Sequence, residues 1–156
     1  STVLVPLSGG GLLAGVATGL EAAGSGAETV GVSMTRAPMM AMSLEAGHPI
    51  EVPEEETLAD SLRGGIGLDN RFTFELVASL SSRVALVDEA VIWDAMRFLF
   101  ERHRLVAEGA GAVGVGSLLS GTLEPLQGPV AVIISGANAE PEHVAGLLAG
   151  DPAPTL

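Results

Sequence analysis

The chain contains no lysine, cysteine or tyrosine, and only one tryptophan and four phenylalanines among 156 residues. Without cysteine there is no disulfide, no thiolate nucleophile and no cysteine-ligated metal. Without lysine no side-chain amine is available to form an imine with a carbonyl ligand. Seven arginines against nineteen acidic residues leave a net charge of −12, the wrong sign for a nucleic-acid partner. No apolar run reaches the roughly 20 residues of a membrane span, and the most aliphatic stretch, Val130 to Ile134, has the length of a strand. No basic, apolar secretory leader opens the chain, so a cytoplasmic protein is expected. The missing lysine and a start at Ser1 on strand-like residues imply a piece of a longer protein.

Hydrophobic residues make up 47% and charged residues 17%, which predicts a packed core in a single domain. Val3 to Val5 reads as a strand running into a glycine turn, followed by helix-spaced residues from Leu12 to Ala23. Thr29 to Ser33 is a second strand, and Arg36 to Ala46 a helix stopped by Gly47. Residues 48–56 form an exposed loop, Thr57 to Leu62 a short helix, 64–67 a glycine turn and Phe72 to Leu80 a helix. After the strand Val84 to Val87, Asp88 caps a helix running to about Arg102, with Val91, Ile92, Ala95, Phe98 and Leu99 on one stripe. Residues 109–119 make a helix so rich in glycine that its neighbours must approach closely. Val130 to Ile134 and a helix over Pro141 to Leu148 complete the pattern. Short strands alternating with helices imply an α/β fold: a three-layer αβα arrangement on an open, mostly parallel, twisted sheet. Residues 1–150 form that unit, and 151–156 are expected to be a disordered tail.

Three stretches could carry chemistry. In Val5-Pro6-Leu7-Ser8-Gly9-Gly10-Gly11-Leu12 a strand meets a helix through glycines, freeing main-chain N–H groups at a helix N-terminus, a natural anion site. It is neither the dinucleotide fingerprint nor the P-loop, and it could equally be a tight connection without a ligand. Ser135-Gly136-Ala137-Asn138 follows a strand, and ligands of open parallel sheets gather at the carboxyl ends of strands. Its other reading is a left-handed turn. Glu108 opens the small-residue helix and serves either that helix's own N-terminus or a ligand. His48, His103 and His143 have no metal-ligand spacing, and no metal is expected. Trp93 and Met39, Met40 and Met42 read as core or contact residues.

Taken together, VPLSGGGLLAG (5–15), TLADSLRGGIG (57–67), LVAEGAGAVG (105–114) and VIISGAN (132–138) resemble the threonine dehydratase and serine racemase family of pyridoxal-phosphate enzymes, fold type II. The likeness runs over nearly the whole chain, which would be the carboxy-terminal part of the cofactor-binding large domain. The segment GGIGLDNRFTF is similar to the dehydratase branch linked to hydroxyectoine utilisation. The resemblance implies pyridoxal 5′-phosphate as cofactor. It places the phosphate on the backbone of Ser8, Gly9, Gly10, Gly11 and Leu12, the ring nitrogen on Ser135, and Gly67 and Glu108 beside the ring. It further implies a lyase that dehydrates and deaminates threonine, serine or a related 3-hydroxy amino acid, acting as a homodimer on a small-molecule substrate.

The family's imine-forming lysine and the asparagine that meets the ring hydroxyl lie in its amino-terminal half, the missing partner of this chain. No catalytic residue is therefore assigned here, and the segment alone is expected to be inactive. Ser33 and Met39 stand where some members carry the Glu and Asp of a cation site, and Ala137 replaces a glycine. With nothing far beyond Ser135, feedback control through an effector domain is not expected. An amino-acid racemase of the same family and a non-catalytic phosphate-binding module are the alternatives.

Overall fold

Strand β1 (Thr2–Pro6) leads through helix α1 (Gly11–Ala22) into β2 (Glu28–Met34) in a computed structural model that describes residues 1–81, 83–126 and 128–156. Helix α2 (Met39–Ala46), a 3-10 turn (Asp60–Leu62) and α3 (Thr73–Leu80) precede β3 (Arg83–Val87). The chain continues through α4 (Glu89–His103), α5 (Gly109–Leu119), β4 (Val130–Val132) and α6 (Pro141–Ala149). The four strands pair in parallel in the order β3-β2-β1-β4.

Because successive strand residues point to opposite faces, β1 divides the interior in two. Leu4 joins Val30, Val32 and Met34 under α4 and α5, while Val5 joins Leu7, Leu13, Met40 and Val77 under α1, α2 and α3. Helices thus cover both faces, and the central strand β2 is buried along nearly its whole length. Trp93, Met39 and Met40 are core residues, 3%, 5% and 2% exposed. Ser33 and Met39 are both buried, and among the described residues no three His, Cys, Asp or Glu side chains could hold a metal. No helix is long and apolar enough to cross a membrane among the described residues.

Three boundaries differ from the sequence pattern by two residues or more, each for a local reason. Helix α2 starts at Met39 rather than Arg36: Ala37 sits at φ 43° ahead of Pro38, and a residue before proline is pushed out of the right-handed helical region. Of Thr57 to Leu62 only Asp60–Leu62 is helical. Upstream, the Leu58 N–H donates to the Glu89 carboxylate and the Ala59 N–H to the Thr57 hydroxyl, drawing the backbone away from a helix. Strand β4 stops at Val132, although the Ile133 N–H still donates to the Leu4 carbonyl. By the same register the next donor would be Pro6, which has no N–H. In the tail, residues 151–156 have no regular secondary structure; the Asp151 carbonyl accepts from Trp93 Nε1 at 3.0 Å and from Arg97, and Ala153 packs on the core.

Candidate cofactor site

Strands β1 and β4 are neighbours and parallel, so the turns that follow them emerge at the same end of the sheet. Leu7 closes β1 by donating its N–H to the Val32 carbonyl at 2.8 Å, and Ala14 donates to Gly10 at 2.8 Å as the first helical bond of α1. Between them the N–H groups of Ser8, Gly9, Gly10, Gly11, Leu12 and Leu13 have no acceptor among the described residues. A helix leaves its first amides unpaired as a rule; here the unpaired run reaches back to Ser8. No side chain caps α1, and its first turn holds no acid. These donors remain free to meet a group from outside the chain.

Glycine is needed in this loop for two separate reasons. Gly10 sits at φ 89°, and a Cβ there would come within 2.8 Å of Val77 and 2.9 Å of Met40. Its role is to seat the loop on the second core cluster. A Cβ on Gly9 or Gly11 would meet nothing within 4 Å, and both residues line a cavity of about 190 Å³. A side chain at either would fill space beside the free amides, so the two glycines keep that space open.

The same cavity is lined by Ser135, Glu108 and Ala110 and by Ser61 and Leu62. The sequence reading missed Ser61 and Leu62, because their segment touches the loop only through tertiary contacts. The Ser135 hydroxyl is exposed and has no partner among the described residues. Of the residues singled out from the sequence, Ser8, Gly9, Gly10, Gly11, Leu12, Glu108 and Ser135 meet around this cavity. Gly67 does not line it; it lies in an exposed turn at φ 79°, its carbonyl accepting from the Asn70 N–H at 3.1 Å.

Glu108 makes no side-chain cap bond to its own helix. Its Oε2 instead accepts from the Asn138 N–H at 3.2 Å, and its N–H donates to the Gly136 carbonyl at 3.2 Å. It clasps the 135–138 turn while facing the cavity. That turn is not left-handed, since none of its residues has a positive φ. A Cβ at Gly136 would lie 2.2 Å from Glu108 Oε1, so glycine lets that carboxylate sit against the turn, and Ala137 fits without backbone strain. The free amides, the open glycine loop and a lone hydroxyl lining the same cavity fit a phosphorylated heteroaromatic cofactor. The amides match phosphoryl oxygens, and a neutral hydroxyl matches a ring nitrogen.

Comparison with known proteins agrees with this geometry. The family model described as pyridoxal-phosphate dependent enzyme matches residues 1–136. A Sinorhizobium fredii relative with a provisional threonine dehydratase name is 48% identical over 138 residues, covering 88% of this chain and 42% of its own length. The Thermotoga maritima L-threonine ammonia-lyase is 38% identical over 138 residues, 88% of this chain and 34% of the relative. Among solved structures, maize serine racemase superposes with a TM-score of 0.83 at 29% identity, covering 96% of this chain and 46% of the racemase. The chain thus spans less than half the length of these relatives. With a glycine loop of free amides and an unpartnered serine lining one cavity at the end of a parallel sheet, this chain belongs to the pyridoxal-phosphate-dependent enzyme family.

Proposed function

We propose that this chain anchors the phosphate and ring of pyridoxal 5′-phosphate in a lyase that eliminates water from threonine, serine or a related 3-hydroxy amino acid, the product then taking up water to release ammonia and leave a 2-oxo acid. The observation that carries the proposal is the unbroken run of unpaired amides from Ser8 to Leu13, of which Ser8 to Leu12 line the cavity that Ser135 shares. When bound, the cofactor supplies an electron-withdrawing ring that stabilises negative charge at the substrate's α-carbon. The chain's own part is binding and orientation. Amides at the α1 terminus offset the phosphoryl charge, and the Ser135 hydroxyl hydrogen-bonds the ring nitrogen. A hydroxyl does not force that nitrogen to stay protonated, which favours elimination over chemistry that needs the strongest electron sink. The cavity of about 190 Å³ is smaller than a typical ligand pocket of roughly 300–1,000 Å³. In this proposal the remaining walls, and the lysine that this chain lacks, come from residues outside it.

The test uses the intact protein with threonine and serine, following 2-oxo acid release and, by chiral chromatography, any D-amino acid. Turnover should need pyridoxal 5′-phosphate and be lost on its removal. Gly9→Ala should weaken pyridoxal 5′-phosphate binding at least tenfold, about 1.4 kcal/mol, while shifting stability by less than about 0.5 kcal/mol. Unchanged affinity in that variant would remove the loop from the site, and D-amino acid without oxo acid would assign a racemase.

A further inference from the structure

Glu89 lies in the first turn of α4 and would serve that helix simply by its charge. Its side chain does something else. Oε1 accepts from the Thr57 hydroxyl and Oε2 from the Leu58 N–H, each at 2.7 Å. Glu89 has no ion-pair partner among the described residues, so both oxygens are used on this one segment. The segment is thereby fixed in direction as well as buried: Thr57, Leu58 and Ala59 are 7%, 4% and 0% exposed. On its far side the Leu58 carbonyl presses on α5, where a Cβ at Gly109 would lie 2.1 Å away. The Ala59 carbonyl then accepts from the Leu62 N–H at 2.8 Å, closing the turn that places Ser61 and Leu62 in the lining of the cavity that Gly9 to Gly11 also line.

The geometry points to Glu89 as a positioning residue of the phosphate site: it holds the 57–62 segment so that Ser61 and Leu62 close the cradle, and it thereby sets how strongly the site prefers a phosphorylated ligand. Apolar burial holds the segment down but has no direction. Two charge-assisted hydrogen bonds supply the register. The inference rests on the proposed cofactor site and adds to it a residue that touches neither the cofactor nor the cavity.

The experiment measures equilibrium affinity of the intact protein for pyridoxal 5′-phosphate and for pyridoxal, alongside the melting temperature of the cofactor-free form. Glu89→Ala should cut the preference for the phosphorylated form by about tenfold. Glu89→Gln, which keeps one accepting oxygen, should cut it less. Thr57→Val, which also removes the acceptor of the Ala59 N–H, should cut it at least as much as Glu89→Gln, and Thr57→Ser, which keeps the hydroxyl, should stay within about twofold of the parent. Asp88→Ala is the control for a purely structural role, because it removes the cap of the same helix, where Asp88 Oδ1 accepts from the Val91 N–H at 2.9 Å. It should lower the melting temperature and leave the preference alone. If Asp88→Ala and Glu89→Ala lower the preference equally, or Glu89→Ala lowers only the melting temperature, the positioning role is overturned. A parent protein that binds both ligands equally would instead overturn the phosphate site itself.

Discussion

At Gly136 a Cβ would stand 2.2 Å from Oε1 of Glu108 and 2.6 Å from its Cδ. The carboxylate is the movable end of a side chain, so it would swing aside and give up the bond that it accepts from the Asn138 N–H. Gly136→Ala should therefore cost about 1–3 kcal/mol, the range for losing a hydrogen bond to a charged group. Denaturant unfolding checks this, and a neutral result would mean that Glu108 is not holding the turn. Single residues differ in how legible they are in the sequence, and the difference is physical. The loop at Ser8 to Leu12 is a contiguous string, so its glycines signal free amides by their order alone. Glu89 stands alone after a capping aspartate and reads only as helix-terminal charge; its partners Thr57 and Leu58 lie 32 and 31 residues away. A pairing of that kind leaves no local pattern.

Helix α5 shows what its glycines are for. A Cβ at Gly109 would meet the Leu58 carbonyl at 2.1 Å, at Gly111 the Gly136 carbonyl at 2.8 Å, and at Gly114 the Val132 side chain at 2.7 Å. At Gly116 the nearest atom would be on Val91, at 3.0 Å. One small-residue helix thus receives the 57–62 segment, the 135–138 turn, β4 and α4 in succession. The glycine content shows that something must approach closely, but not what, because the partners come from four separate stretches. Helix α4 is legible down to its cap, since Asp88, the apolar stripe and the basic last turn are all local. Helix propensity alone predicts that Gly→Ala stabilises by roughly 1 kcal/mol. Contact with an unyielding carbonyl predicts the reverse at Gly109. Gly109→Ala should destabilise by about 3 kcal/mol or more, seen as a lower midpoint in denaturant; an unchanged or higher midpoint would show that the segment moves freely.

Across the whole chain, parallel strands bring the β1 and β4 turns to one end of the sheet, and the cradle there works against this chain's own field. A net charge of −12 repels a phosphorylated ligand at long range, while local amides and the α1 terminus attract it at contact. None of the seven arginines lines the cavity. Salt acts on these two contributions unequally. Raising ionic strength from 0.01 M to 0.15 M shortens the Debye length from about 30 Å to about 8 Å. That screens the distant acidic residues and barely touches hydrogen bonds made at contact. Association of pyridoxal 5′-phosphate should therefore speed up, or at least not slow, over that range, with the dissociation rate nearly constant. A site built on arginine would do the opposite, losing association rate steeply as salt rises. Stopped-flow binding at several sodium chloride concentrations separates the two, and a steep fall would mean that cationic side chains, not the main chain between Ser8 and Leu13, hold the phosphate.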